Sequence, residues 1–575
     1  MLKTLIWTEP KLGDKVQDPL GLELRVSTRM AGQLLHCITT ITPRARYYSF
    51  LPWCVREYTT KVKGTDYDKG LNAWIRNYEK VLALGCIAAN NGDRPTGGGV
   101  VGNNEAVSKY SATNSEDPIS IYEYRPKGST AWGQYGTSIV NLGCFNEINP
   151  SIENEIDEDE TESEPTADDI TLTPIGELLA DAYQSALCGL NPSDSLMVDR
   201  PMITIRFAET FAGKGGLDQI SLPESDDRKQ LLDVFFDGVQ SPGASHQLRK
   251  ESLTLLLVLC EQASQMGESL TWKQFGEAVV YGKSTLDEGL IHWEIPDKLA
   301  RIQSYWRAFY LHNYMSSALE AMLVALVSQV GESEDGQIRL AEIIEKLESS
   351  SILDWYSEHA KVDFPMPFGQ MSTISFLETL GLEFDNADCW ADGSILDPES
   401  WFNEAKIIDI LRERKWASIS SLNGLSISLI LFVTSLLRYR STQKTDADHW
   451  SMNNVADTNL DLCPPLVLLK LEQWDEDWTS RPFADIAHFA LSQFVIRQHE
   501  YLGYDKGQGS DSMILHASED VLTRTGDYEN VTIGNPRFKN AIGILQDLGL
   551  IKIDDNGLTR EGERWLEIQL HMMDL

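Results

Sequence analysis

Apolar residues recur at helical spacing over much of this chain. Broad apolar faces run through 249–265, 297–330, 338–347 and 421–439, which predicts a helix at each. In the second, Ile302, Trp306, Phe309 and Tyr310 share one face, the pattern of core packing. The most apolar run, 422–437, carries Asn423, Ser426, Ser428, Thr434 and Ser435. It is shorter than the roughly 20 residues of a membrane span, so it predicts a buried helix.

Two signatures recur in the same order. Asn141-Leu142-Gly143-Cys144-Phe145 is followed by Leu172-Thr173-Pro174-Ile175-Gly176-Glu177, and Asp547-Leu548-Gly549-Leu550-Ile551 by Leu558-Thr559-Arg560-Glu561-Gly562-Glu563. In the later copy Asn556-Gly557 offers the positive-φ residues of a hairpin between apolar flanks. A helix over 538–548 precedes it, with Ile542, Leu545 and Leu548 at helical steps and Gly549 as its stop. Helix, Leu-Gly stop, hairpin and helix are the end of a winged helix-turn-helix. The expected fold is therefore mainly α and multidomain, with winged helix-turn-helix modules near residues 105-190 and at the C-terminus around a helical middle region. The expected domains are 1–190, 191–465 and 466–575.

Length and composition fit this. The 575 residues allow three to five folding units by a prior of about 150 each, and 42% hydrophobic content supplies ordinary cores. Charge changes the picture more. The net charge of −37 opposes nonspecific adhesion to nucleic acid or an anionic membrane, so any polyanion contact must be local. The first 64 residues run against the trend, with ten Lys+Arg against five acids, or +5. The segment 151–169 is the opposite extreme, with ten carboxylates and no base, and reads as a solvated, enlarged wing loop of the first module.

Candidate chemistry is sparse. The eight cysteines show no C-x-x-C spacing, which predicts free thiols, no metal and a cytoplasmic setting. Tyr281-Gly282-Lys283-Ser284-Thr285 lacks the phosphate-loop spacing, because five residues separate Gly276 from Gly282 where four are needed. Thr96-Gly97-Gly98-Gly99-Val100-Val101-Gly102 predicts a flexible loop. Asp397 with Glu404-Ala405-Lys406 approximates a nuclease metal site, but the surrounding periodicity is helical where that motif needs paired strands. His488 and His499 read as hydrogen-bonded helix residues. No cofactor is expected.

The stretch Thr42 to Trp53 joins Arg44 and Arg46 to Tyr47, Tyr48, Phe50 and Trp53. Either the arginines clamp phosphates while a tyrosine stacks on a base, or the rings pack a core and the arginines pair with this chain's many acids. The candidate nucleic-acid-binding residues are Arg25, Arg29, Arg44 and Arg46, with Arg537 and Lys539 opening the last recognition helix and Lys552 entering its wing. That C-terminal module is neutral, which predicts protein docking about as often as DNA contact.

Asp18-Pro19-Leu20-Gly21, Pro43-Arg44-Ala45-Arg46-Tyr47-Tyr48-Ser49-Phe50-Leu51-Pro52-Trp53, Gly99-Val100-Val101-Gly102 and Ser120-Ile121-Tyr122 resemble a bacterial family known only as a domain of unknown function. Its members sit in antiviral defence islands beside helicases or nucleases. The resemblance covers about the first 190 residues and, more loosely, 207–236. The chain departs from it at Ile121-Tyr122-Glu123, where the family has Tyr-Trp, and in the acidic insertion. No catalytic residues are established for that family. The resemblance implies a non-catalytic, DNA-engaging scaffold or adaptor of an anti-phage defence complex, with a helicase, ATPase or nuclease partner and no membrane contact. The alternatives are a nuclease effector of unrecognised type or a winged-helix transcriptional regulator.

Overall fold

A computed structural model describes residues 18–573, apart from 67, 96–97, 123, 125–129, 147–169, 191, 199–200, 222–224, 238–243, 287–288, 350–363, 381–403, 413–419, 446–461, 506–512 and 529–530. The acidic run 151–169 lies outside the described residues. The protein is mainly helical, with a few short strands, as the periodicity predicts. It divides into two compact units, each discontinuous in sequence. One joins Met1–Ala31 to Lys273–Asn535, and the other joins Gly32–Trp272 to Pro536–Leu575. The expected divisions at 190 and 465 coincide with neither boundary, because the units are set by long-range packing that local composition does not register.

In the unit Gly32–Trp272, the helices and strands include α1 Tyr47–Glu57, α2 Leu71–Ala89, β1 Ile119–Ser120, α3 Ala131–Asn141, α4 Pro174–Ala186, β2 Met202–Ile203, α5 Ile205–Gly215, α6 Asp226–Leu232 and α7 Ala244–Gln265. Helix α1 packs on α4, and its Tyr47, Phe50, Leu51 and Trp53 are buried. Helix α2 lies along α5 so closely that a Cβ on Gly85 would stand 2.1 Å from the Ala208 carbonyl oxygen. Strands β1 and β2 pair antiparallel, Ile119 opposite Ile203.

The unit Lys273–Asn535 takes in most of α8 Trp272–Tyr281, then β3 Lys283–Leu286, β4 Gly289–His292, α9 Ala300–Glu332, β5 Gln337–Arg339, α10 Leu340–Ser349, α11 Glu404–Arg412, α12 Ser421–Thr445, β6 Leu515–Ser518 and β7 Val521–Arg524. Helices α9 and α12 pack along one another, and 89% of the most apolar window of each is buried, which accounts for their hydropathy. Ile338, expected in a helix, lies in β5, and the helix starts at Leu340. A three-residue strand is too short for its alternation to be told from a helical face. Strands β5, β7 and β6 form one antiparallel sheet in that order.

The chain ends in α13 Phe538–Asp547 and α14 Arg560–Met572. Here the recurring signatures fold alike. After α3, Gly143 takes φ +83°, Phe145 bridges Leu172, and Thr173 Oγ1 accepts from the Gly176 amide at the start of α4. After α13, Gly549 takes φ +67°, Ile551 bridges Leu558, and Thr559 Oγ1 accepts from the Gly562 amide at the start of α14. Each threonine hydroxyl also donates to the carbonyl of the stop glycine, at 2.5 Å to Gly143 and 2.6 Å to Gly549. The second glycine of each copy is forced by close approach. A Cβ would stand 2.1 Å from the Cys144 oxygen at Gly176, and 2.0 Å from the Leu550 oxygen at Gly562. The helix–stop–bridge–capped-helix element is therefore built twice within one unit.

Candidate anion-binding pocket

The cations picked out by sequence lie in several different environments. Arg44 is 2% exposed, and its guanidinium donates to Asp547 at 3.0 Å, Asp218 at 2.6 Å and the Gly98 carbonyl at 2.9 Å. Burial opposes its charge, but Asp547 and Asp218 outweigh that and hold its pKa above the ordinary arginine value. Arg46 grips both Asp227 oxygens, at 2.9 and 3.2 Å, and donates to the Gly216 carbonyl at 2.6 Å over the face of Tyr183. Arg537 is buried and donates to the Ile38 carbonyl, and burial lowers its pKa to about 10. These three guanidiniums are spent on the interior. Their expected contact with phosphate is corrected accordingly: for Arg44 and Arg46 an acid-rich chain supplies the partners, and Arg537 is taken up by a backbone carbonyl. Arg25 and Arg29 are half-buried, Lys539 is exposed, and Lys552 stands 3.8 Å from Asp555.

Two of the motifs behind the family resemblance, Pro43–Trp53 and Gly99–Gly102, meet in this same network. The glycine loop wraps the Arg44 side chain, since a Cβ on Gly99 would lie 2.8 Å from Arg44 Cγ, and the Val101 amide donates to Tyr47 Oη. Asp547 also accepts from the Ala45 amide, and Arg228 donates to the Leu548 carbonyl and pairs with Glu561. Helix α13, expected as a recognition helix, is a core helix whose one exposed residue is Lys539.

The remaining motifs resolve structurally. Tyr281-Gly282-Lys283 passes from helix α8 into strand β3, the reverse of a phosphate loop. Glu404 is buried in α11, where it accepts from Arg438 at 3.0 Å and from Tyr281 Oη at 2.8 Å; Asp397 lies outside the described residues. His499 is buried, faces the Pro19 carbonyl and accepts from the Ile514 amide. Among the described residues, no group of three or more His, Cys, Asp or Glu is placed to hold a metal.

A pocket of about 170 Å³ opens instead on one face of α2. Its floor is Val62, Trp74 and Leu196, all buried, and its rim is Tyr122 and Val198, 41% and 42% exposed. Lys69, Arg76 and Lys80 bring three cations to it, and none of its lining residues is acidic. Helical spacing groups positions 73, 76 and 80, which fall three or four apart on α2, and Lys69 joins them from two residues before the helix begins. Lys80 is held in place by donating to the Ile121 carbonyl at 2.9 Å, at the foot of the Tyr122 rim that β1 leads into. Trp74 is fixed edge-on by Tyr78 at 5.0 Å, and Tyr78 by Trp53 at 4.8 Å. The Trp74 indole N–H has no acceptor among the described residues.

The helix opens at Gly70, with φ +88° and no side-chain cap. Asp68 precedes it and accepts from Tyr58 Oη, the Gly64 amide and the amide of the lining residue Gly70; these bonds, the Tyr58 one foremost, hold its carboxyl below the usual range. Glu79 is buried and accepts from the Trp132 amide at the start of α3, and burial raises its pKa to about 7. The sequence reading passed over Lys69, Arg76 and Lys80. The spacing of bases around Trp74 was the available signal. No protein-family model, curated protein or solved structure matches this chain.

Proposed function

We propose that the chain is a non-catalytic, DNA-engaging scaffold or adaptor subunit of a bacterial anti-phage defence complex, working in the cytoplasm with a helicase, ATPase or nuclease partner. Its DNA contact is the pocket on α2. The observation that carries this reading is the pocket's lining of three cations and no acid, in a chain whose net charge of −37 opposes polyanions elsewhere. The N-terminal motifs support the defence setting, and Tyr122, from one of them, stands on the pocket rim.

The repeated helix–bridge–helix element supports the finer reading as winged-helix modules. So does the order β5-β7-β6, with β5 between α9 and α10. With α13 packed inward, the C-terminal module serves assembly and protein docking rather than groove reading. Incubating the purified chain with single- and double-stranded DNA and magnesium or manganese tests the proposal. It predicts retention without cleavage, and turnover abolished by Glu404→Ala would overturn it.

A further inference from the structure

Building on the reading of the pocket as the nucleic-acid contact, we infer that it takes one nucleotide unit bearing a terminal phosphomonoester. Size argues first. A volume of about 170 Å³ is close to that of an engineered cavity of about 150 Å³ that holds one benzene ring, and is below the roughly 300–1,000 Å³ of larger ligand sites. A continuous strand is tracked by a groove several nucleotides long. This pocket encloses only the end of a strand, with the rest of that nucleotide left to its rim.

Charge argues second. Lys69, Arg76 and Lys80 converge where an internal phosphodiester would bring a single negative charge, whereas a terminal monoester brings about −1.5 to −2 near neutral pH. Arg76 offers a planar fork for two phosphate oxygens. The Gly70 amide at the start of α2 is taken by Asp68, but beyond its chain neighbours no atom lies within 4 Å of where a Gly70 Cβ would be, so the space beside the helix start is open. Tyr122 and Val198 then offer an exposed aromatic and apolar wall to the attached sugar and base.

The test is a binding competition with the full chain, using a labelled single strand in three forms: 5′-phosphorylated, 3′-phosphorylated and unphosphorylated. At least one phosphorylated end is expected to bind about tenfold tighter than the unphosphorylated strand, the scale of one charge-assisted hydrogen bond. Lys69→Ala/Arg76→Ala, at two exposed positions, should erase that preference without changing the melting temperature, and Tyr122→Ala should weaken binding of the preferred form. A free nucleoside monophosphate that competes as well as the strand end assigns the same chemistry to a free nucleotide. If all three strands bind equally and the double variant weakens them all, the end-recognition inference falls while the DNA contact stands. If the double variant weakens none, both fall.

Discussion

Arg44 Nε donates to Asp547 Oδ2 at 3.0 Å across 503 positions of sequence, tying the segment that follows Thr42 to the last turn of α13. Each Arg44 donor group meets a different acceptor, so lysine cannot replace it. Asp547→Ala should lower unfolding free energy by about 1–3 kcal/mol, because it leaves the Arg44 Nε–H and the Ala45 amide without an acceptor while Asp218 still balances the guanidinium charge. Urea titration measures the loss, and limited proteolysis should then cut first between 536 and 573. An unchanged urea midpoint would show that the pair contributes nothing net.

Two buried carboxyls set a pH dependence. Burial raises Glu79 to about 7, and raises Glu320, which accepts from the Thr532 amide and hydroxyl, to about 8. Both values lie above the ordinary 4.5, so over that interval the folded protein binds more protons than the unfolded chain. Their contribution to stability is complete below 4.5 and is lost as pH rises through about 7 for one and about 8 for the other. These shifts correspond to on the order of 3 kcal/mol for Glu79 and about 5 kcal/mol for Glu320. Urea midpoints at about pH 5 and about pH 8.5 should differ in that direction. Glu79→Gln and Glu320→Gln should each flatten the difference, and a steeper profile in either variant would contradict the assignment.

The duplicated element predicts matched sensitivities. Gly176→Ala and Gly562→Ala each drive a methyl into a backbone carbonyl at about 2 Å, and should each cost about 1–3 kcal/mol or more. Gly549→Ala meets strain at φ +67° and should cost about 1 kcal/mol. Thermal melts of the three variants check the order, and a tolerated Gly562→Ala would mean the two copies differ in mechanics.

Helix content was legible because apolar periodicity survives whatever each helix packs against, and α7, α9 and α12 lie over the expected ranges. The repeat was legible for a different reason. Gly143 and Gly549 need positive φ and Gly176 and Gly562 need close approach, so both copies leave the same letters. What sequence hid was partnership. Arg44 and Arg46 look the same whether they face a phosphate or Asp218, Asp227 and Asp547, because the aspartates come from distant segments. The pocket was hidden likewise, since α2 and the segment leading into it supply the cations, while Tyr122 and Val198 reach its rim through the pairing of β1 with β2.

The most direct measurement is the salt dependence of single-stranded DNA binding by the wild type, by Lys69→Ala/Arg76→Ala/Lys80→Ala, and by Lys539→Ala/Lys552→Ala as a control with two exposed C-terminal cations removed. Each single-strand phosphate contact contributes about 0.7 to the slope of log K against log salt, so the pocket variant, which gives up its hold on one phosphate, should lose about 0.7 from that slope and the control almost nothing. An unchanged slope in the pocket variant, or an equal loss in the control, would contradict the pocket as the site of DNA contact.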